Sequence, residues 1–456
     1  MTTALCLLGV AALASADYVN DRVHTTYSIA SSVVQVHIEA DVAAVGDGGA
    51  PYEFSLPAAW RRSVSPVIAR DQTGAVLEVR RSEVETEALD SRATHSVLPR
   101  KGSPLTELQL AFSVNRALTA AGPCRRGAEH SELVFNGSVV LASSYETSEA
   151  EADVVLGEGA RLVGTSAAAG VAVVAEAGGT RVRFGKILPG RACPDAIGLG
   201  VHLAVQWPLT TLEASELEVT VDHWGTIGMR ESAVVRNDAA PEAAQARALA
   251  GEPGATVTSL AVGLPEGATS AVVLSDGQGL LPGGHLEGPG PGGRLVRVRP
   301  RFPLAPGWRA QLRLQYSVAS GSQGALSHDM LTGEYVLRVP VAAPFTSAAV
   351  ERRTVRVALP AGAAAIQASW SAEAGFGGGA EQGDEGFVED GAWGRPVRVF
   401  RSGAVAPGAG GELVVRYSLS PLSLLREPLA WAAMVFLAHL AVSVGCRADM
   451  LRCSAR

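Results

Sequence analysis

The sequence predicts a mainly β protein: two tandem lumenal β-sandwich-like domains followed by one C-terminal transmembrane helix. Three observations predict it. Apolar and polar residues alternate with a period of two in segment after segment, the pattern of antiparallel strands with one buried face. Helical periodicity is scarce before residue 420. Near the end comes an apolar run, PLAWAAMVFLAHLAVSVGC at 428–446, that contains no Asp, Glu, Lys or Arg.

In chain order, residues 1–16 (MTTALCLLGVAALASA) carry an apolar stretch too short to span a bilayer. It closes on Ala14-Ser15-Ala16, a small-x-small cleavage pattern, so 1–16 is predicted to be a signal peptide. Its n-region lacks Lys and Arg, and a buried N-terminal strand is the alternative. The first lumenal β domain is predicted over 17–225, with strands in VVQVHIE (33–39), TELQLAFSV (106–114) and ELEVTVDHW (216–224). Ala177-Gly178-Gly179-Thr180 lies between β-branched stretches and predicts a hairpin. Residues 241–250 form the best soluble helix candidate, with Asn237 or Asp238 to cap it and Gly251 to end it. The break between domains is expected there, within 226–255.

The second β domain is predicted over 226–421, from RLVRVRPRF (294–302), AQLRLQYSV (310–318), RTVRVALP (353–360) and ELVVRYSL (412–419). The Pro/Gly-rich stretches 280–293 and 374–386 are expected as exposed loops. A parallel α/β fold needs a helix between most strands and is excluded. An internal echo joins the halves. SLPAAW followed by PVIARDQTGAVLEV matches GLPEGA followed by AVVLSDGQGLL, and each leads to a strand ending LAFSV or LQYSV. The echo points to duplication of one module, the alternative being the general likeness of short alternating strands.

The run 428–446 would rise about 28 Å as a helix, close to the hydrocarbon thickness of a bilayer. Pro428 suits its first turn. Arg426 and Glu427 mark the near side; Arg447, Arg452 and Arg456 against Asp449 make the 447–456 tail basic, hence cytosolic. A single-pass type I topology follows. A cleaved lipid-anchor signal fits less well, because such a signal ends apolar. His439, a polar side chain at mid-membrane, is expected against a partner helix, with a tolerated neutral His as the alternative.

Composition narrows the function. Hydrophobic residues make up 47% and charged residues 18%, enough apolar content for packed domains, and a net charge of −7 excludes nucleic acid as a partner. Of five cysteines, only Cys124 and Cys193 face the oxidising side, where they form one disulfide or remain two free thiols. Asn136-Gly137-Ser138 is a candidate glycan acceptor. There is no H-E-x-x-H, G-x-S-x-G or C-x-x-C. No histidine pair has i,i+4 spacing, and the acidic pairs lie in polar segments. No catalytic, metal or cofactor residue is therefore expected. In Arg301-Phe302-Pro303-Leu304-Ala305-Pro306-Gly307-Trp308 the prolines and Gly307 make a rigid connector. Trp308 is expected to be buried there, with Trp308→Ala costing about 3–5 kcal/mol.

Five segments carry a family resemblance: EVTVDHWGTIG (218–228), RPRFPLAPGWRAQLRLQYSV (299–318), RTVRVALPAGA (353–363), WGRPVRVF (393–400) and LSLLREPLAWAAMVFL (422–437). In order and spacing they resemble the ribophorin I family, the non-catalytic type I subunit of the endoplasmic-reticulum oligosaccharyltransferase. SELVFNGS (131–138) and RVRFGKI (181–187) are weaker matches. The motif residues, as structural or contact positions, are His223, Trp224, Gly225, Arg301, Phe302, Pro303, Gly307, Trp308, Gly394, Arg395, Pro396, Glu427 and Pro428. The resemblance implies a scaffold or substrate-delivery role in transferring a lipid-linked oligosaccharide to Asn-X-Ser/Thr of nascent polypeptides. Its implied partners are the other oligosaccharyltransferase subunits, including the multi-spanning catalytic one, and the endoplasmic-reticulum membrane. Two features depart from the family. The segment 241–250 is alanine-rich, and the tail at 447–456 is too short for contacts attributed to an extended cytosolic domain. Two other readings stay open: a type I cell-surface adhesion or receptor ectodomain, and a lumenal hydrolase.

Overall fold

The computed structural model describes residues 18–454, apart from 83–92, 121–130, 240–255, 319–324, 372–380, 389–394, 406–410 and breaks of one to three residues elsewhere. The chain is mainly β. Its buried apolar residues fall into two clusters, one running from Tyr18 to Leu209 and the other from Leu212 to Tyr417. The predicted break at 225/226 instead falls inside a hairpin, because β16 (Thr210–Val221) pairs with β17 (Ile227–Asn237) on either side of it. The helix candidate at 241–250 and the signal peptide at 1–16 lie outside the described residues.

Each unit combines a large sheet with smaller ones around a shared core. In the first unit, β1 (Tyr18–Ile29) pairs with β2 (Val33–Ala44), β2 with β7 (Glu107–Asn115), and β7 with β4 (Ile68–Asp71). The path continues through β5 (Val76–Ser82), β6 (Ala93–Leu98) and β3 (Tyr52–Leu56) to β10 (Ala142–Leu156). A parallel pairing of β10 with β1 then closes the sheet on itself. β13 (Arg181–Ile187) and β12 (Val173–Ala175) extend it beyond β10, joined by the predicted glycine hairpin, where Gly178 and Gly179 both take positive φ. A small sheet, β11 (Ala160–Ala167), β15 (Gly198–Val205), β9 (Ser131–Ser138) and β8 (Leu118–Ala120), supplies Phe135, Val201 and Leu203 to the same core.

The second unit repeats most of this topology, but among the described residues its large sheet does not close on itself, and the strands Leu260–Pro265, Gly293–Val298 and His285–Gly290 form a separate sheet. β16, β17, β23 (Arg309–Val318) and β19 (Val273–Asp276) follow one another as β1, β2, β7 and β4 do. β27 (Arg353–Ala358) runs parallel to β16, as β10 does to β1. β30 (Arg395–Ser402) and β29 (Glu381–Val388) extend it like β13 and β12. The sheet β28 (Ala363–Trp370), β31 (Glu412–Leu419), β25 (Glu334–Pro340), β24 (Leu326–Asp329) matches β11-β15-β9-β8. Even isolated bridges correspond, Val64 to Val114 and Ala268 to Val318. The sequence echo is thus a duplication of one module.

Two expectations change. Both large sheets contain a parallel seam where antiparallel pairing was expected, because a long crossover brings β10 and β27 back alongside the first strand of each unit. Residues 280–293, expected as a loop, contain β21 (His285–Gly290), which pairs with β22 (Gly293–Val298). β21 is an edge strand, where Pro289 removes no needed ladder donor. Likewise 374–386 includes the start of β29.

After β31 the chain enters α1 (Pro421–Ser454), a helix of 34 residues. Between 428 and 444 Trp431, Met434, Val435, Phe436, Leu437, Val442 and Val444 are exposed, so that stretch of the helix is apolar on every side. Among the described residues, no helix is long and apolar enough to cross a membrane.

Candidate functional site

The motif residues separate into two groups at opposite ends of the β17–β23 ladder. The first is built on the β16–β17 hairpin. Asp222 Oδ1 accepts the N–H groups of Trp224 (2.9 Å) and Thr226 (2.7 Å), and Gly225 takes φ +82°, which only glycine adopts freely. His223 Nε2 donates to Ala361 O at 3.2 Å, tying the turn to the connection after β27. Trp224 is left 91% exposed on this fixed turn. Arg395 and Pro396 lie at the same end, since Leu359 N donates to Pro396 O at 3.0 Å. So does the exit into α1, because Ala363 pairs with Leu419, two residues before the helix.

The second group is the connector 301–308. Arg301 clasps the turn after β19, with Nε 2.8 Å and Nη2 3.1 Å from the Asp276 carboxylate, and Nη2 also donates to Leu280 O at 3.2 Å. Leu304, Ala305 and Pro306 are buried, whereas Phe302, Pro303, Gly307 and Trp308 are exposed. The expectation for Trp308 is therefore corrected: its indole is 53% exposed. The turn is anchored by backbone instead. Gly307 N donates to Asn237 O (2.8 Å), Asn237 N to Trp308 O (3.1 Å) and Asn237 Nδ2 to Leu304 O (2.9 Å). These bonds hold the backbone while both aromatic rings of the connector face outward. This end also meets the first unit, since Arg116 pairs with Glu351 and Asn115 Nδ2 reaches Val350 O at 3.5 Å. Beside that contact, within the second unit, Arg236 bridges Glu213 and Asp238, each at 2.5 Å.

The bonds from Arg301 hold the Asp276 carboxyl down at about 2, against burial, which acts the other way. A depressed folded-state value means the clasp stabilises fully above the unfolded value of roughly 3.9. That contribution is lost as pH falls through about 2. The melting-temperature difference between wild type and Asp276→Asn should therefore be present at pH 6 and vanish near pH 2. The same clasp recurs, looser, in the first unit between Arg100 and Asp71 at 3.9 Å.

The remaining predicted positions do not join either group. Asn136 is exposed on β9, opposite Gly200. His439 and Pro428 are both exposed on α1. Cys124 and Gly394 lie outside the described residues, as do the side chains of Cys193 and Glu427, so the disulfide does too. A concavity of about 520 Å³ crosses the outer polar face of the second unit, lined by Glu216, Glu218, Arg230, Gln311, Arg313 and Gln315. It is an open trough over four strands. Among the described residues no cluster of three or more metal-ligating side chains occurs.

A feature the sequence reading missed lies inside the second unit. Arg353, Glu231 and Ser215, each nearly inaccessible, form a hydrogen-bonded ionic cluster across β27, β17 and β16. The signal was available: each shares the odd parity of the apolar face of its strand, beside Val355, Met229 and Leu217.

The ribophorin I family model matches residues 18–445, both units and most of the helix. The chain belongs to the ribophorin I family. Membership implies an oligosaccharyltransferase subunit, a kind of subunit that is generally accessory. A search of curated proteins found no match. Among solved structures, the chain is similar to an M1 zinc metallopeptidase from Deinococcus radiodurans, at 15% identity and TM-score 0.29, covering 45% of this chain and 42% of that one. It is also similar to yeast LTA4 hydrolase, at 10% identity and TM-score 0.28, covering 41% and 29%. The chain thus spans less than half the length of either.

Proposed function

We propose that this chain is a non-catalytic subunit of the endoplasmic-reticulum oligosaccharyltransferase. It acts as a lumenal scaffold that supports transfer of a lipid-linked oligosaccharide to Asn-X-Ser/Thr of nascent chains, the chemistry lying in a multi-spanning partner. The family match over 18–445 carries this reading, because it includes both β units and reaches into α1. The helix is read as a single-pass type I anchor in the endoplasmic-reticulum membrane. A helix apolar on all sides and exposed all round has to be covered by lipid or by other helices. His439 is then the polar contact to a partner helix. The open polar trough suits an extended chain or another subunit better than a small substrate enclosed for catalysis.

Detergent-solubilised chain should co-purify with the other subunits and with transferase activity. Transfer to an acceptor peptide, normalised to assembled complex, tests the scaffold role. Loss of the chain should lower transfer. Glu216→Gln or Glu218→Gln should leave it within about threefold, whereas removing a general acid or base costs roughly 10²–10⁴-fold. A single carboxylate substitution that abolishes transfer in intact complexes would replace the scaffold with a catalytic subunit.

A further inference from the structure

Trp224 stands out among the exposed side chains. A tryptophan 91% exposed on a loose loop would mean little, but this one is held. Asp222 fixes the backbone on both sides of it, Gly225 closes the turn, and His223 is tied to Ala361. The same end of the unit releases the chain into α1. From Ala361 it is two residues to Ala363, which pairs with Leu419, and two more residues lead to the first turn of the helix.

We infer that Trp224 is an interfacial membrane contact, its indole seated in the lipid headgroup layer beside the point where α1 enters the bilayer. This rests on the reading of α1 as a bilayer-spanning anchor. Distances favour lipid as the occupant. Residues 421–427 separate the strand end from the apolar run and rise about 10 Å as helix. One headgroup layer is roughly 5–8 Å thick. The end of the unit that carries Trp224 is therefore held at the outer edge of that layer. Tryptophan, apolar with one polar N–H, is the residue that favours this zone. A rigid turn adds to this, since the indole is ordered before it meets the membrane and loses little entropy there. Trp308 and Phe302, exposed at the far end of the same ladder, cannot reach the same plane: the ten residues of β23 span about 33 Å.

The test is quenching of tryptophan emission by lipids brominated near the top of the acyl chain, with the full chain in phosphatidylcholine nanodiscs. The measurements use a Trp393→Phe background, because Arg395 and Pro396 lie at the same end as Trp224. In it Trp224 and Trp431 are the indoles expected to meet those bromines, so Trp224→Ala should remove about half of the quenched emission, and Trp431→Phe much of the rest. Trp308→Ala should leave it unchanged. If Trp431→Phe lowers quenching and Trp224→Ala does not, the anchor stands and the inference about Trp224 is overturned. If no tryptophan is quenched and alkaline carbonate releases the chain from membranes, the anchor reading itself fails. Loss of the Trp224 component on assembly into the purified transferase complex would assign the indole to a protein partner and also overturn the proposal.

Discussion

Arg353→Met should destabilise the second unit by about 3–5 kcal/mol, because it leaves the Glu231 charge buried without its partner. The guanidinium is 1% exposed and holds four contacts at once: the Glu231 carboxylate, Ser215 Oγ, Val341 O at 3.1 Å and Ala342 O at 3.5 Å. Ser215 Oγ also donates to Glu231 Oε1, while Glu231 Oε2 finds no partner among the described residues. Burial pushes the Glu231 carboxyl up, and the Arg353 charge and hydrogen bonds oppose it. Without Arg353 only the Ser215 hydrogen bond opposes burial, so Glu231 either takes up a proton or keeps an unpaired charge. The urea midpoint of the full chain, followed by tryptophan emission, measures the loss. The double change Arg353→Met with Glu231→Leu should recover most of it, since replacing both ions with apolar side chains of similar volume is often neutral or stabilising. A double variant as unstable as Arg353→Met alone would mean that packing around the pair, rather than charge burial, sets the cost.

That cluster shows where local pattern informs and where it misleads. In RTVRVALP the period of two was read as one apolar and one polar face, and β27 does form over it. By parity, however, Arg353 belongs with Val355 and Val357 on the inner face. A charge on the apolar face of a strand signals a buried partner, and the matching signals stood at Glu231 in β17 and Ser215 in β16. The partners sit more than a hundred residues apart in part, so only the parallel seam of β16 and β27 could unite them. Such seams leave no mark in short segments. β10, ASSYETSEAEADVVL, reads as a polar strand, and nothing local says that it closes the first sheet against β1. Duplication was legible because its marks are turns. Asp71-Gln72-Thr73-Gly74 and Asp276-Gly277-Gln278-Gly279 both end a strand with an aspartate that accepts backbone N–H groups, a local requirement that sequence records directly. Trp308 misled for the opposite reason. A large aromatic between Pro306 and the apolar positions of β23 looks like core, but Leu304, Ala305 and Pro306 are the connector residues that are buried, and the indole is left outside.

Phe135→Ala should cost the first unit about 3–5 kcal/mol, the range for removing a buried aromatic that its surroundings cannot replace. The ring, fully buried on β9, joins the small sheet to the large one. It lies 5.0 Å from the Tyr27 ring of β1, which stands 6.4 Å from Trp60. Tyr27 is fixed by its hydroxyl, which donates to Ser138 O at 2.6 Å and accepts from Ser138 N at 3.2 Å, so it cannot swing into the cavity without breaking buried hydrogen bonds. The residue between completes the arrangement. A Cβ on Gly137 would approach the Phe135 ring to 2.9 Å and the Tyr27 ring to 3.2 Å, so this position has to be glycine for the two rings to meet. Gly137→Ala should therefore destabilise through the same contact. Combined with Phe135→Ala it should cost less than the sum, because removing the ring makes room for the methyl group. Additive losses, measured by urea denaturation of the single and double variants, would show that Gly137 is constrained by its backbone instead. The comparison also gives the segment SELVFNGS a physical reason. Phe135 and Gly137 are set by ring packing between the sheets and Ser138 by its hydrogen bonds to Tyr27, while Asn136 is exposed to solvent.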